Sequence, residues 1–179
     1  MFNTENNEYL LLDKESAISF LKSKGVNCLH HFTAKSNVEI IKRMGGLYSS
    51  FYLKNNEQLQ SQIVFGGDKK SLIKDKEHGY DKYVCLSFCK CHPMSNGLAE
   101  PVFLNIDLSI ISDNMIVTDG NALAVGHKEG RGFEALRLVN YSVFDGYKRY
   151  QGDPDYYFYQ AEVKIMDHIP IEYIQFPKE

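Results

Sequence analysis

The stretch YQAEVKIMDHIPIEYI, residues 159–174, decides the fold of this chain. The residues from Tyr159 to Met166 alternate between apolar and polar, which predicts a strand with one buried face. A second short strand is predicted over Ile171 to Phe176. Glu162 therefore lies near the beginning of a strand, directly after residues 145–157. Glycine and proline interrupt that preceding segment, and we predict that it forms a structured functional loop.

Two helices are predicted in the first half of the chain from their start and stop signals. Asp13 is a suitable N-cap for the first helix, and Gly25 is suited to end it. Ser36 and Glu39 have the capping-box spacing of a second helix, which the pair beginning at Gly45 would end. We therefore expect a helix, a strand and another helix before residue 46.

Strands dominate the second half of the chain. Residues 54–82 are polar and lysine-rich and are predicted to form mostly a long loop, whereas residues 132–138 predict a short helix. Further strands are predicted at Val26–Phe32, Tyr83–Phe88, Val102–Leu108 and Met115–Thr118. This order of elements favours an α+β fold over a doubly wound α/β fold.

The composition predicts a single globular domain over residues 1–179, with residues 1–12 as an N-terminal tail. The hydrophobic fraction of 44% excludes a disordered chain, and the absence of a long apolar run excludes a membrane span.

A polar N-terminus is unlike a secretory signal, and three of the four cysteines lie within seven residues, which suits reduced thiols. We therefore expect a cytoplasmic protein. Its net charge of −3 gives no overall attraction to nucleic acid.

Four short motifs carry side chains suited to chemistry. They are His31-Phe32-Thr33, His92-Pro93-Met94, Thr118-Asp119-Gly120-Asn121-Ala122 and Gln160-Ala161-Glu162. Each motif has a structural explanation when it is taken alone, because a strand histidine is usually hydrogen-bonded in the core and Asp-Gly-Asn usually marks a turn. Their combination and order are more specific than any one of them.

In this order, the motifs resemble the DarT family of bacterial toxins, which are single-stranded DNA ADP-ribosyltransferases. The matching segments cover nearly the whole chain, and they are LHHFTAKSNVEIIKRMGGLYS (29–49), YVCLSFCKCHPM (83–94), VTDGNA (117–122) and YQAEVKIMDHIPIEYI (159–174). The resemblance implies an ADP-ribosyltransferase fold, in which two small β-sheets pack around an NAD cleft with flanking helices. It also implies NAD as co-substrate, single-stranded DNA as acceptor and a macrodomain antitoxin as a possible partner.

Glu162 is the expected catalytic residue. Transfer from NAD breaks the bond between nicotinamide and ribose, and positive charge develops on the ribose in the transition state. A carboxylate hydrogen-bonded to the ribose stabilises that charge.

The resemblance also implies roles for other residues of the four motifs. His31 and Thr33 would hydrogen-bond to NAD, and Tyr48 would pack on the nicotinamide. The full set expected to contact NAD is His31, Phe32, Thr33, Asn37, Leu47 and Tyr48. The residues expected to contact the acceptor are Met94 and Asn121 in the base pocket, Lys148 and Arg149 at phosphate, and Tyr156 as a stacking ring.

The chain departs from the family pattern at one position. Related enzymes use an arginine after the Gly-Gly-Leu turn, whereas no arginine occurs here between Arg43 and Arg131. Lys54, Lys69 or Lys70 would have to replace it, and lysine lacks the bidentate geometry of arginine. Because of this departure, two alternatives stay open. The acceptor is RNA, a protein or a small molecule, or the domain is degenerate and binds NAD or nucleic acid without turnover.

A zinc-binding module is a further alternative. Cys85, Cys89, Cys91 and His92, with Cys28, have the residue types of a zinc site, although their spacing lacks a C-x2-C knuckle. We therefore expect no bound metal.

Overall fold

The computed structural model describes residues 12–66, 69–122 and 124–178, without the side chains of residues 69–71. The α-helices are α1 (Lys14–Ser23), α2 (Val38–Met44), α3 (Ser50–Lys54), α4 (Glu57–Gln60) and α5 (Lys69–His78). The strands are β1 (Leu29–Ala34), β2 (Gly46–Tyr48), β3 (Tyr83–Ser87), β4 (Pro101–Ile106), β5 (Ile116–Thr118), β6 (Glu129–Arg131), β7 (Glu162–Met166), β8 (His168–Pro170) and β9 (Ile174–Gln175). Short 3-10 helices connect many of these elements. The expected α+β class is confirmed.

The strands form two antiparallel sheets of unequal size. The large sheet has the order β6-β5-β7-β3-β1-β4-β9, and the small sheet pairs β2 with β8. Strand β7 lies between β5 and β3, and its first residue, Glu162, is opposite Thr118 on one side and Ser87 on the other. The stretch that begins at Glu162 therefore supplies a central strand of the large sheet and one strand of the small sheet.

Alternating residues of the central strands form the main hydrophobic core. Leu86 of β3, Val117 of β5 and Val163 of β7 are almost completely buried, and Ala17 and Leu21 of α1 pack into the same cluster. Helix α1 begins as predicted, because the Asp13 carboxylate accepts the Ser16 N–H at 2.7 Å. The alternation in β7 places Glu162 and Lys164 on the opposite face of the sheet from Val163.

The structure corrects the prediction of a long loop over residues 54–82. Helix α3 extends to Lys54, α4 follows, and α5 and the 3-10 helix Tyr80–Lys82 complete most of the segment. The lysines and glutamates that made the segment look like a loop are also good helix formers. Such a helix needs only a narrow apolar face when most of its surface is exposed to solvent.

The predicted capping box at Ser36 is also wrong. Residues Lys35–Asn37 form a 3-10 turn, and α2 begins at Val38 without a side-chain cap hydrogen bond. The Asn37 amide is used elsewhere, because it donates to the Val64 carbonyl oxygen at 2.7 Å. The predicted stop is confirmed, since Gly45 adopts the left-handed conformation at the end of α2.

The predictions for the chain ends and the short strands had mixed outcomes. Residues 1–11 of the predicted tail lie outside the described residues, and the Leu12 N–H donates to Glu134 at 2.5 Å. The predicted helix over 132–138 is the 3-10 helix Phe133–Leu138. Strands β2, β6 and β8 were not predicted, because each has a glycine or proline among its three residues, and these residues are depleted in strands.

Close contact between β2 and β8 requires glycine at position 46. Gly46 has a φ of 156°, and a Cβ atom built there would lie 2.2 Å from the carbonyl oxygen of Ile169. We expect Gly46→Ala to lower the free energy of unfolding by about 2 kcal/mol or more, because the strands would have to separate. Urea denaturation measures the change. Gly97→Ala is the control, since a Cβ there has no neighbour within 4 Å, and equal stability of both variants would show that the two strands can accommodate a side chain at position 46.

Candidate active site

A cleft of about 220 Å³ opens between the large sheet and the segment that follows α2. It brings together residues from all four sequence motifs. The predicted site residues that line it are His31, Phe32, Thr33, Asn37, Leu47, Tyr48, Met94, Asn121 and Glu162. Lys148, Arg149 and Tyr156 do not line this cleft.

The polar residues at the β1 side of the cleft are held by hydrogen bonds to neighbouring segments. His31 Nδ1 lies 3.0 Å from the Cys85 carbonyl oxygen, and burial lowers the pKa of His31, which favours the neutral ring. Thr33 Oγ1 accepts a hydrogen bond from the Asn37 amide at 3.0 Å. Asn37 also accepts the Val64 N–H at 2.9 Å. Asn37 therefore fixes the backbone of Val64, which lines the cleft.

Tyr48 lines the cleft and belongs to a group of three stacked rings. Tyr48 of β2 stacks on His168 of β8 at 5.4 Å between ring centroids and on Tyr52 of α3 at 4.7 Å. The Tyr48 hydroxyl donates to the Met44 carbonyl oxygen at 3.3 Å. These contacts place a rigid aromatic surface at this wall of the cleft.

Glu162 forms an ion pair with a lysine that none of the sequence motifs singled out. The Lys164 ammonium donates to Oε2 of Glu162 and lies 3.8 Å from Sγ of Cys85. The Lys164 side chain is 1% exposed, whereas Glu162 is partly exposed at the cleft. Burial alone would lower the pKa of Lys164, but the acidic groups around it, chiefly Cys85 and Glu162, raise it above its usual value. Lys164 is therefore a protonated lysine inside the protein.

The remaining contacts of Lys164 come from the segment that precedes β3. The ammonium lies 4.9 Å from the centroid of the Tyr80 ring, a cation–π distance, and it interacts electrostatically with Asp75 of α5. The Tyr80 hydroxyl donates to Glu129 of β6. Burial raises the pKa of Asp75, and burial together with Glu129 raises the pKa of Tyr80 to about 12. Helix α5 and the turn after it therefore cover the polar face of β7.

His92 is a second residue for which the sequence predicted no contact with NAD or DNA. Its Nδ1 accepts the Met94 N–H at 3.3 Å, and its ring stacks on Phe32 at 5.6 Å. Burial lowers the pKa of His92, so we assign a neutral ring with the proton on Nε2. Within residues 12–66, 69–122 and 124–178, Nε2 has no hydrogen-bond partner and is closed to solvent. The buried N–H group is a donor that the fold itself does not use.

The loop over residues 145–157 is tied to the Asn121 side of the cleft. Asn121 Nδ2 donates to the Gln160 side chain at 3.2 Å, and Gln160 donates to the Tyr156 carbonyl oxygen at 3.0 Å. The Tyr157 hydroxyl donates to Asp119 at 2.6 Å. A change in this loop therefore reaches the cleft through two hydrogen-bonded connections.

The two basic residues of the loop have different environments. Arg149 forms ion pairs with Asp145 at 2.7 Å and Asp153 at 3.4 Å, within its own loop. Lys148 is exposed, and its ammonium lies 3.4 Å from Asn96 and 5.7 Å from the centroid of the Tyr150 ring. Tyr156 is half-buried, whereas Tyr147 and Tyr150 are the strongly exposed rings of the loop.

Of the lysines considered as replacements for an arginine, Lys54 does not itself line the cleft, but its ammonium lies 5.4 Å from the ring centroid of Phe65, which does. The side chains of Lys69 and Lys70 lie outside the described residues. The part of the chain that the structure describes has no cluster of three His, Cys, Asp or Glu residues suited to a metal. The zinc alternative therefore gains no support.

The hydrogen bond between Tyr157 and Asp119 gives a test of how the loop is held. We expect Tyr157→Phe to lower the free energy of unfolding by about 1–3 kcal/mol, because Asp119 loses a charge-assisted bond. Cleavage of the loop by a protease should become faster. Tyr147→Phe is the matched control, since Tyr147 is 73% exposed. Equal protease resistance of the two variants would show that the bond does not anchor the loop.

None of the helices in the described ranges is both long and apolar enough to cross a membrane.

The model of the family described as "ssDNA thymidine ADP-ribosyltransferase, DarT" matches residues 30–176. No curated protein matches the sequence significantly.

Solved structures of this family share the fold. Thermosipho africanus DarTG in complex with ADP-ribose is 18% identical, with a TM-score of 0.66 over 86% of this chain and 44% of that chain. This chain thus spans less than half of that protein. Thermus sp. 2.9 DarT in complex with ADP-ribosylated ssDNA is 16% identical, with a TM-score of 0.65 over 87% of this chain and 83% of that chain. The same Thermus protein with NAD+ has a TM-score of 0.61 at 16% identity, over 84% and 80% of the two chains. With the family model matched over most of its length, the chain belongs to the DarT family of ssDNA thymidine ADP-ribosyltransferases.

Proposed function

We propose that this chain transfers ADP-ribose from NAD to a thymine base in single-stranded DNA, with Glu162 as the catalytic carboxylate. One observation carries the proposal. Glu162 lines the same cleft as the residues expected to hold NAD and as Met94 and Asn121, the residues expected to hold the base. Membership of the DarT family supports the acceptor.

The residues of the cleft fit NAD. Phe32 and Tyr48 line the cleft with aromatic rings that stacked neighbours hold in place, and His31 keeps one ring nitrogen for a polar atom of the ligand. When bound, NAD supplies a ribose carbon whose bond to nicotinamide breaks during transfer. The carboxylate of Glu162 then accepts a hydrogen bond from a ribose hydroxyl, and its negative charge favours the positive charge that develops on the ribose.

The acceptor base enters from the side of Met94 and Asn121. Asn121 follows β5 closely, and Thr118 of that strand is directly opposite Glu162. An amide carries both a donor and an acceptor, which suits the edge of a base. A base within a duplex is inaccessible in its stack, so single-stranded DNA is the simplest acceptor.

The loop over residues 145–157 binds the DNA next to the target base. The exposed rings of Tyr147 and Tyr150 can stack on neighbouring bases, which contributes about 1–3 kcal/mol per base. Lys148 is exposed beside them and contacts a phosphate. Arg149 acts chiefly within the loop, because its charge is matched by Asp145 and Asp153.

We further propose that the chain is the toxin of a cytoplasmic toxin–antitoxin pair. The partner would be a macrodomain that removes the ADP-ribose. The support is the family to which the chain belongs and its resemblance to a protein described as DarTG.

Glu162→Gln tests the catalytic role. The amide keeps the size of the side chain and an acceptor for Lys164, but it lacks the negative charge. We expect the rate of transfer to fall about 10²-fold or more, because a charge interaction made in the transition state is lost, while NAD affinity is largely kept. Mass spectrometry of labelled oligonucleotides measures transfer, and calorimetry measures binding. Turnover near that of the wild type would remove Glu162 from its role.

The same assay tests the acceptor when single-stranded DNA, duplex DNA, RNA and protein are compared side by side. We expect label on thymidine of single-stranded DNA. Label only on RNA or protein would keep the transferase activity and exclude DNA, whereas NAD binding without any transfer would favour a degenerate domain.

Lys148 and Arg149 should differ in the salt dependence of DNA binding. We expect Lys148→Ala to reduce the slope of log affinity against log salt by about 0.7, because one phosphate contact is lost. Arg149→Ala should leave that slope nearly unchanged and make the loop more sensitive to protease. Fluorescence anisotropy with a labelled oligonucleotide gives both slopes. An equal reduction in the two variants would show that Arg149 also contacts phosphate.

A further inference from the structure

We propose that Lys164 is a positioning residue for this reaction: its buried ammonium holds Oε2 of Glu162 and thereby orients the carboxylate, leaving Oε1 for the ligand. The inference rests on the proposed function of Glu162. It assigns a role to a side chain that is not expected to touch NAD or DNA, because Lys164 is 1% exposed.

The position of Lys164 in the sheet is one that an apolar side chain would fill. In the register of the sheet, Lys164 lies between Ile116 of β5 and Cys85 of β3. Replacement of a buried ion pair by packed apolar groups is often neutral or stabilising, so a buried lysine is poor evidence for a role in stability alone. Its ammonium instead donates to Oε2 of Glu162, the carboxylate proposed for catalysis, and lies 3.8 Å from Sγ of Cys85.

The contacts of the carboxylate are divided between its two oxygens. Lys164 donates a hydrogen bond to Oε2, whereas Oε1 has no hydrogen-bond partner within the described part of the chain. Glu162 lines the cleft with Lys164 behind it. One oxygen is thus fixed from inside the protein, and the carboxylate is restricted in rotation before any ligand arrives.

Several titratable groups surround the pair. Cys85 of β3 lies 3.8 Å from the ammonium, Tyr80 provides a ring at 4.9 Å, and Asp75 of α5 interacts electrostatically with both members. His92 interacts electrostatically with Glu162 from the turn after β3. Burial raises the pKa of Cys85 to about 12, so the thiol is neutral in an ordinary assay. Lys164 is the cation hydrogen-bonded to Glu162.

Lys164→Met removes the ammonium and keeps the length of the side chain. We expect kcat for transfer to fall about 10- to 100-fold while the Kd for NAD changes little, because a misplaced carboxylate affects the transition state most. A structural role alone would lower the Tm of the variant and would not separate kcat from Kd in this way.

Two further variants separate positioning from stability. Val163→Ala truncates the fully buried neighbour in β7 and keeps both charges, so it should lower Tm while kcat, measured at a temperature where the variant is folded, stays near the wild-type value. If Lys164→Met does not fold, Lys164→Gln keeps a hydrogen-bond donor and should retain part of kcat, with the Kd for NAD again little changed.

The proposal is overturned if either folded Lys164 variant shows the wild-type kcat, or if its Kd for NAD rises as much as kcat/KM falls. Failure of the proposed function looks different. If the wild-type protein labels RNA or protein in place of DNA, the acceptor is wrong, and the comparison of Lys164 variants is made on the acceptor that is labelled. Absence of turnover with every acceptor would overturn both.

Discussion

The ion pair between Glu162 and Lys164 is the interaction on which the rest of the site depends. The two residues share one face of β7, and that strand is central in the large sheet. A buried ammonium must be surrounded by acceptors, negative charge or aromatic faces, and the chain supplies these from three separate segments. Cys85, Tyr80 and Asp75 meet at Lys164. The cleft is therefore organised around a charge, and the main core lies on the opposite face of the sheet.

This arrangement has an electrostatic consequence for the proposed chemistry. A cation next to Glu162 reduces the negative potential that favours positive charge on the ribose, so Lys164 does not act by strengthening the field of the carboxylate. Its benefit is geometric, because a carboxylate that is already oriented needs no reorganisation during the reaction. Asp75 contributes a second acidic group beside the ammonium, although burial raises its pKa. Lys164 thus orients Glu162, and Asp75 is a further acidic group that interacts with the Lys164 ammonium.

The sequence predicted the strand that carries Glu162 but not the environment of Lys164. Alternation in YQAEVKIM is a local signal, and it correctly placed Val163 and Glu162 on opposite faces. The same alternation suggests that Lys164 is solvated. Lys164 is buried because residues from the 54–82 segment, predicted to be mostly loop, fold over that face as α5 and the following 3-10 turn. Burial by residues that are distant in the sequence does not change the alternation of apolar and polar residues within β7. It therefore cannot be predicted from that alternation. The family resemblance, in contrast, supplied the residues of the cleft through short motifs that lie far apart in the chain.

The charges of the loop over residues 145–157 bear on how the proposed acceptor is bound. Its acidic residues Asp145, Asp153 and Asp155 surround Arg149, so the charges of the loop largely cancel within it. A chain with a net charge of −3 attracts DNA weakly at long range. In the proposed function, binding therefore depends on short-range contacts, and the exposed rings of Tyr147 and Tyr150 are the side chains proposed to make them. Stacking of this kind requires bases that are free of a duplex. A loop that binds by stacking would thus favour single strands before the target base enters the cleft.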